Sequence, residues 1–215
     1  MTIGPHELSQ MFQAASARIR EQHTVLSELD SVAGDGDHGT TMLRIASQLA
    51  AAGESSSPKA ILHDTGWKIL GVDGGASSSL LGTFFLGMAD APECEGPLDS
   101  AGLAAAFESG MVALSKQTRA DLGDKTLIDA LLPAIGALRT AAQVRKTPVE
   151  ALHDAAQAAR AGAESTSSLK ARFGRAKFLG EKTIGHQDPG AVSVALLFEG
   201  FSIALTESKG DKVNA

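Results

Sequence analysis

The segment PHELSQMFQAASARIREQHTVLSEL, residues 5–29, decides the fold class. Seven apolar side chains recur in it at helical spacing, namely Leu8, Met11, Phe12, Ala15, Ile19, Leu26 and Leu29. This spacing places them on one face of an α-helix, and Pro5 suits the first turn. The segment therefore predicts a long amphipathic helix whose apolar face packs against other helices.

Similar apolar stripes run through the rest of the chain. We expect roughly eight helical segments, at 5–29, 39–52, 58–71, 77–90, 99–119, 125–142, 148–173 and 189–207. Pro133 falls inside the sixth segment and should kink it or shift its register. No stretch alternates convincingly between apolar and polar residues as a strand would, and the connections are short. The sequence thus predicts an all-α bundle or barrel in a single domain over residues 1–215.

Composition narrows the classes of function. The 215 residues include 19 Lys+Arg and 25 Asp+Glu, a net charge of −6. This balance argues against a nucleic-acid partner, because binding to a phosphate backbone needs a cationic face. The longest apolar stretch, 190–206, contains Glu199 and is shorter than the ~20 residues of a membrane span, so we expect a buried helix and no membrane partner. The lone Cys94 and the absence of a signal-like start favour a cytoplasmic location.

Three connections have the composition of binding loops rather than of ordinary turns. The first is LDSVAGDGDHGTT, residues 29–41, where Asp30, Asp35 and Asp37 lie close together and glycines allow a tight backbone. Carboxylates held this close repel one another unless a cation joins them, and Mg²⁺ or Ca²⁺ takes oxygen ligands. For any single aspartate, a plain turn that caps the next helix is the alternative.

Two familiar motifs match this loop, and both fail in context. GDGDHG has the glycine spacing of a dinucleotide-binding fingerprint, but a helical stretch precedes it instead of a strand. An EF-hand counted from Asp35 would have Gly39 and Ala46 where oxygen ligands are expected. What remains is a metal loop that runs into a helix N-terminus.

The other two connections suit an anion. DGGASSS, residues 73–79, precedes a nearly all-apolar helix, whose start offers free N–H groups to a phosphate. The alternative is that Ser77 only caps this helix and the glycines end the preceding one. The third connection, 174–190, contains cations suited to phosphoryl transfer and ends in Asp188-Pro189-Gly190, which also suits a simple helix cap. GDKT at 123–126 is similar to the end of a Walker A motif, but its spacing is wrong. Residue chemistry by itself thus predicts a site for a metal and a polyphosphate such as a nucleotide.

Five separated motifs resemble those of the nucleotide-binding L subunit of dihydroxyacetone kinase. They are LD with GDGDHG at 29–39, GGAS with GTFF at 74–85, GDKT at 123–126, GRA with LGE at 174–181, and GHQDPG at 185–190. The resemblance covers about residues 8–206 and implies an antiparallel barrel of about eight amphipathic helices with a nucleotide at one end. After Ser77 the chain reads Ser78-Ser79-Leu80 where the family typically has Gly-Pro-Leu, which leaves substrate preference open.

The resemblance also implies the ligands and their contacts. Asp30, Asp35 and Asp37 would bind two Mg²⁺ ions that bridge to the phosphates of ADP or ATP. The implied nucleotide contacts are His38, Gly39, Thr40, Thr41, Ala76, Ser77, Thr118, Leu127, Arg175, Asp188, Pro189 and Gly190. Arg175 would also be catalytic, because its charge would stabilise the phosphoryl group during transfer.

By the same resemblance, the chain would be half of an enzyme. It would be a phosphotransferase of the glycerone kinase type, active with a separate K subunit that binds dihydroxyacetone. The phosphoryl donor is either ATP or a protein of the phosphotransferase system that rephosphorylates bound ADP. The alternatives are a kinase for another short ketose, such as a tetrulose, and a nucleotide-loaded regulatory or adaptor protein. The oligomeric state, a homodimer included, is left open.

Overall fold

The protein folds almost entirely into helices in the computed structural model, which describes residues 2–53 and 55–211, without the side chains of 207–211. The eight α-helices of this part are α1 Pro5–Ser31, α2 His38–Ala50, α3 Pro58–Leu70, α4 Gly75–Ala89, α5 Ser100–Ser115, α6 Ile128–Gln143, α7 Pro148–Ser165 and α8 Pro189–Asp211. Three 3₁₀ segments lie at Pro92–Glu95, Thr166–Ser168 and Arg175–Thr183. Among the described residues, extended pairing is limited to one bridge between Ile3 and Leu98. The all-α prediction is confirmed.

The helices form a closed antiparallel ring. α1 packs on both α2 and α8, α3 packs on α4, and the contacts continue in chain order from α4 through α8. Because consecutive helices run in opposite directions, α2, α4, α6 and α8 begin at the same end of the barrel. The C-termini of α1, α3, α5 and α7 meet them there. We call this end the mouth.

Aromatic side chains fill the barrel below the mouth. Phe12 and Phe85 stack edge to face with ring centroids 5.3 Å apart, and Phe107 lies 5.2 Å from Phe198. Full burial of one such side chain stabilises the fold by about 1.5–3 kcal/mol. At Gly200 on α8, an added Cβ would collide with the backbone of α1, so that only glycine permits this close approach. The core thus holds the helices rigidly beneath the mouth.

Two helices end earlier than the sequence predicts, and both differences build the mouth. A helix is predicted to residue 119, but α5 ends at Ser115; another is predicted to 173, but α7 ends at Ser165. α6 begins at Ile128 instead of 125 and continues without a break through Pro133. The chain outside the helices, 116–127 and 166–188, forms loops over the mouth, where hydrogen bonds to distant residues replace those of a helix.

The longest apolar helix lies in the core. By length and composition, the Pro189–Thr206 part of α8 could cross a membrane, with a mean hydropathy of 1.5. In the barrel, 61% of this stretch is buried, including Phe198 and Phe201. This agrees with the buried helix that the sequence predicts.

Candidate functional site

A cavity of about 400 Å³ opens at the mouth. Residues at the starts of four helices line it, namely His38, Ala76, Ser77, Ile128, Pro189 and Gly190. The first N–H groups of a helix have no acceptor within the helix, and they lie at the positive end of its dipole. Four such helix starts around one cavity therefore favour a polyanion.

The acidic loop borders this cavity, and we call it the acidic wall. Asp30 and Gly34 line the cavity, whereas Asp35 and Asp37 are exposed beside it and are not part of its lining. Asp30 lies in the last turn of α1, and Asp35 and Asp37 lie in the loop before α2. One oxygen of each carboxylate lies within 4.8 Å of the others. Asp30 Oδ2 is buried and has no hydrogen-bond partner among the described residues, and a Cβ on Gly34 would lie 2.7 Å from Asp30 Cγ. The three carboxylates lie close together, and one of them has an unsatisfied oxygen in a space that only glycine leaves open. This arrangement fits a hard divalent cation such as Mg²⁺.

Arg175 joins the third loop to the acidic wall. Its guanidinium forms an ion pair with Asp35, and its Nη2 lies 3.9 Å from Asp37 Oδ1. The hydrogen bond from Arg175 lowers the pKa of Asp35, whereas desolvation and the neighbouring Asp35 carboxylate raise the pKa of Asp37. The two pKa values shift in opposite directions because the single guanidinium pairs closely with Asp35 and only distantly with Asp37. The acidic wall is therefore short of positive charge.

His38 connects α2, α4 and α8 beneath the cavity. Its Nε2 lies 2.8 Å from Ser193 Oγ, and its Nδ1 lies 3.3 Å from Ser77 Oγ. Because the Ser193 hydroxyl donates to the Pro189 carbonyl, it accepts from His38 Nε2–H, and His38 Nδ1 then accepts from Ser77. Burial lowers the pKa of His38, which keeps the ring neutral at pH 7. This chain of hydrogen bonds fixes three of the helix starts relative to one another.

The loop between α5 and α6 forms a second wall, which we call the Lys125 wall. Buried Asp129 accepts hydrogen bonds from the N–H groups of Gly123, at 2.6 Å, and Thr126, at 2.7 Å. Lys125 is a buried residue, only 6% exposed, and its ammonium donates to the carbonyls of Thr166 and His186. Burial lowers the pKa of Lys125, while Asp188 and Asp129 oppose this shift. The turn at 123–126 is thus ordered by buried charges on both sides.

Asp188 completes the Lys125 wall at the start of α8. Its Oδ2 accepts a hydrogen bond of 2.7 Å from the N–H of Ala191, and its own N–H donates to Thr166 Oγ1 at 2.9 Å. Burial raises the pKa of Asp188 to about 7. The predicted helix cap at Asp188 is therefore present, and the same residue lines the cavity.

Comparison with known proteins identifies the family of this chain. A family model described as the DAK2 domain matches residues 32–202. The chain belongs to the DAK2 domain family. The match covers the acidic loop after Asp30, the Lys125 wall, the six helices α2 to α7 and the first part of α8, so the family is shown over most of the chain.

Relatives of this DAK2 domain include kinases and their subunits. The ADP-binding subunit of a PEP-dependent dihydroxyacetone kinase from Listeria innocua is 39% identical over 184 residues, which cover 84% of this chain and 87% of the relative. An L-erythrulose 1-kinase from Mycolicibacterium smegmatis is 36% identical over 186 residues, 84% of this chain and 32% of that protein.

A solved structure shows the same fold. The crystal structure of the dihydroxyacetone kinase from C. freundii in complex with AMP-PNP and Mg²⁺ matches with a TM-score of 0.73 at 27% identity, over 95% of this chain and 35% of that chain. The resemblance to the L subunit and the helical barrel that it implies are confirmed. The DAK2 domain spans most of the Listeria subunit but about a third of the erythrulose kinase and of the C. freundii chain.

Most predicted nucleotide contacts line the cavity of the DAK2 domain. These are His38, Ala76, Ser77, Thr118, Leu127, Arg175, Asp188, Pro189 and Gly190, together with the predicted metal ligand Asp30. Three residues of α2 lie elsewhere: Gly39 and Thr41 are buried, Thr40 is exposed, and none of them lines the cavity. A Cβ on Gly39 would collide with the His23 carbonyl, so Gly39 allows α2 to approach α1 closely. Nucleotide contacts from all twelve residues, those that line the cavity included, stay a prediction.

The two serines that depart from the family pattern have different surroundings. Ser78 is buried, and its hydroxyl donates to the Gly75 carbonyl at 3.2 Å, within the first turn of α4. Ser79 is exposed and lines the cavity. The departure therefore adds one hydroxyl to the cavity wall, at residue 79.

Several residues of the site are missed by sequence reasoning. Ser193 orients His38, and Asp129, Lys125 and Thr166 build the second wall. Two of them have a local signal: Ser193 interrupts an apolar run, and Thr126-x-x-Asp129 has the spacing of a capping box. Thr166 has none, because its partners lie 22 and 41 residues away along the chain.

Proposed function

We propose that this DAK2 domain is the nucleotide-binding subunit of a dihydroxyacetone kinase. It holds ADP or ATP through two Mg²⁺ ions and passes the terminal phosphoryl group to dihydroxyacetone on a separate K subunit. The observation that supports this most strongly is the convergence of four helix N-termini on a cavity lined by Asp30, whose carboxylate lies within 4.8 Å of those of Asp35 and Asp37. Such a site attracts phosphates and metal ions at adjacent positions.

The cavity offers different surroundings to the two ends of a nucleotide. In our proposal the phosphates lie at the starts of α2, α4 and α8, beside the Ser77 hydroxyl, and Asp30, Asp35 and Asp37 hold the metal ions. When bound, Mg²⁺ supplies neutralising charge at the phosphate oxygens. The base lies on the apolar side formed by residues such as Leu127 and Ile128, with Thr118 at its edge.

Arg175 has two uses in this proposal. Its guanidinium pairs with the same carboxylates that would hold the metal, so a metal ion and Arg175 compete for the same oxygens. Once the carboxylates bind metal, the guanidinium is free to meet the terminal phosphate. A positive charge there stabilises the negative charge spread over the phosphoryl group during transfer.

The rim beside Arg175 suits docking of the K subunit. Residues 170–186 include five cations and one anion, a net charge of +4 in a chain of net charge −6. Phe178 in this segment is 82% exposed, with the Lys177 ammonium 4.9 Å from its ring centroid. An exposed aromatic ring among cations suits a partner with an acidic surface, since interface cores favour aromatic residues and opposite charges steer association.

A short ketose other than dihydroxyacetone is the second candidate acceptor. The observation in its favour is the erythrulose kinase among the relatives, at an identity close to that of the dihydroxyacetone kinase subunit. The acceptor is held by the K subunit in our proposal, so this chain does not choose between the two ketoses. The phosphoryl donor is likewise ATP or a protein of the phosphotransferase system.

Nucleotide binding is tested by thermal unfolding with ADP, with and without Mg²⁺. We expect Mg²⁺ with ADP to raise the melting temperature of the wild type but not of Asp35→Ala, because the variant lacks a metal ligand. Asp64→Ala is the matched control, since Asp64 is an exposed aspartate on α3 that pairs with Lys68. Equal rises for the wild type and Asp35→Ala would reject the metal-bridged site.

The reaction is tested by reconstitution with the cognate K subunit. Phosphorylated product from dihydroxyacetone or from a tetrulose, with ATP or with a phosphorylated donor protein, identifies both acceptor and donor. Mass analysis of nucleotide released from freshly purified protein gives an independent check, because retained ADP favours the phosphoprotein donor. ADP binding without phosphorylation of any ketose would favour the regulatory or adaptor alternative instead.

A further inference from the structure

Lys125 has a backbone conformation that lysine rarely adopts. Its φ is 61°, in the left-handed region, and among the described residues the one other non-glycine with positive φ is Arg145, at 57°. This region is unfavourable for most L-residues because Cβ approaches the following carbonyl oxygen. Such a residue persists where its surroundings over-determine it, often at a functional site.

The contacts of the Lys125 ammonium explain why the conformation is kept. Nζ donates to the Thr166 carbonyl at 2.6 Å and to the His186 carbonyl. Thr166 directly follows α7, and His186 lies in the loop just before α8. One buried ammonium therefore joins three segments that are separate in sequence: the α5–α6 loop, the end of α7 and the approach to α8.

The same contacts connect the two ends of the proposed nucleotide site. Leu127, two residues after Lys125, lines the apolar side, and Gly190 lies at the start of α8 on the phosphate side. A Cβ on Gly190 would lie 3.4 Å from Leu127 Cβ, so these two backbones are already in close contact. Thr166 holds Asp188 by a hydrogen bond of 2.9 Å, and this keeps the start of α8 in the same cluster.

We infer that Lys125 is a positioning residue that fixes the apolar, base side of the cavity relative to the phosphate side. The inference rests on the proposed function, which assigns the two sides. Lys125 acts through backbone carbonyls, because its ammonium is directed at Thr166 and His186. A ligand that spans both sides therefore depends on Lys125, whereas a ligand confined to the phosphate side does not.

Two ligands distinguish positioning from a general structural role. Calorimetric titration with Mg²⁺–ADP and with Mg²⁺–pyrophosphate, below the unfolding temperature of each protein, compares a spanning ligand with a phosphate-only ligand. For Lys125→Met we expect ADP affinity to fall about tenfold or more, as for loss of a charged hydrogen bond, while pyrophosphate affinity stays within about twofold.

Two further variants isolate the ammonium from the backbone. Lys125→Asn removes the ammonium but tolerates positive φ, so we expect the same selective loss of ADP affinity. Arg145→Met is the matched control, because Arg145 has a similar φ but is exposed, and it should leave both affinities unchanged. Equal losses for ADP and pyrophosphate, or no loss for either, in both Lys125 variants would overturn the inference.

If the Lys125 variants do not fold, hydrogen exchange of the wild-type protein tests the inference instead. Mg²⁺–ADP, which spans both sides, should slow exchange at 123–126 as well as at the helix starts, whereas Mg²⁺–pyrophosphate should slow it at the helix starts alone. Equal protection of 123–126 by the two ligands, or by neither, would overturn the inference. If the wild type bound neither ADP nor pyrophosphate, the proposed function would fail instead, so the two failures are distinguishable.

Discussion

The acidic wall and the Lys125 wall face the same cavity but satisfy their charges differently. On the acidic wall, Asp30 keeps a buried oxygen without a partner among the described residues, and one arginine serves two carboxylates. On the Lys125 wall, Asp129 accepts two N–H groups and Lys125 donates to two carbonyls. The protein thus completes one wall from its own backbone and leaves the other to be completed by a ligand.

Among the tests of this difference between the two walls, we expect the largest effect from substitution of Arg175. For Arg175→Gln we expect turnover with the K subunit to fall about 1000-fold, as for loss of a charge that stabilises phosphoryl transfer. The free energy of unfolding should change little, because the ion pair with Asp35 is exposed. Single-turnover kinetics and urea unfolding measure the two effects.

Arg172→Gln is the matched control for Arg175. Arg172 lies in the same loop, and its exposed guanidinium pairs with Asp124 instead of the acidic wall. Turnover of Arg175→Gln within a few-fold of this control would show that Arg175 stabilises the loop and takes no part in phosphoryl transfer.

Substitution of Asp30 tests whether the acidic wall needs a ligand to satisfy its charges. For Asp30→Asn we expect Mg²⁺–ADP affinity to fall about 100-fold, because a metal ligand loses its charge. Without Mg²⁺, the melting temperature should stay the same or rise, because the substitution removes a repulsive charge near Asp35 and Asp37. Calorimetry and thermal unfolding give the two values. A lower melting temperature without metal would mean that the protein itself already satisfies this carboxylate.

The Lys125 wall is tested by the pH dependence that Asp188 confers. Its pKa is about 7 in the folded protein and ordinarily 3.8, so between these values the unfolded chain releases a proton that the folded protein keeps. Its contribution therefore makes the free energy of unfolding fall from about pH 4 to about pH 7 and level off above. Burial is the main cause, Asp129 adds to it, and Lys125 opposes it.

Asp188→Asn provides the comparison, since it removes the titrating group but keeps an oxygen for the Ala191 N–H. Urea unfolding across this pH range should give a wild-type curve that declines relative to the variant. Parallel curves would mean that Asp188 titrates normally and that this wall is more open to solvent than its contacts indicate.

Much of the barrel could be predicted from apolar spacing alone. The stripe from Leu8 to Leu29 predicts α1 to within two residues at its end, because a buried helical face repeats over many turns. The ends of α5 and α7 could not be predicted, since their apolar pattern fades into loops whose hydrogen bonds come from distant residues. Lys125 and Thr166 are 41 residues apart, and local pattern contains no trace of such a contact.

The acidic wall could be predicted from the sequence, whereas the Lys125 wall could not. Asp30, Asp35 and Asp37 lie within eight residues of sequence, so their number and spacing already indicate a shared cation. The Lys125 wall combines residues from three segments, and each of them by itself suits a cap or a solvated charge. A cluster of residues that are neighbours in the sequence can be predicted from the sequence. A cluster that forms only when distant segments fold together can be identified only from the structure.

The even number of helices in the ring also determines where another polypeptide can be joined to the domain. α1 ends and α8 begins at the mouth, so the start of α1 and the end of α8 lie at the opposite end of the barrel. A chain fused at either place would leave the mouth free. In the C. freundii kinase the matching region is 35% of a longer chain. Such covalent joining turns an encounter between proteins into a tethered one, with effective concentrations of roughly millimolar for short flexible linkers.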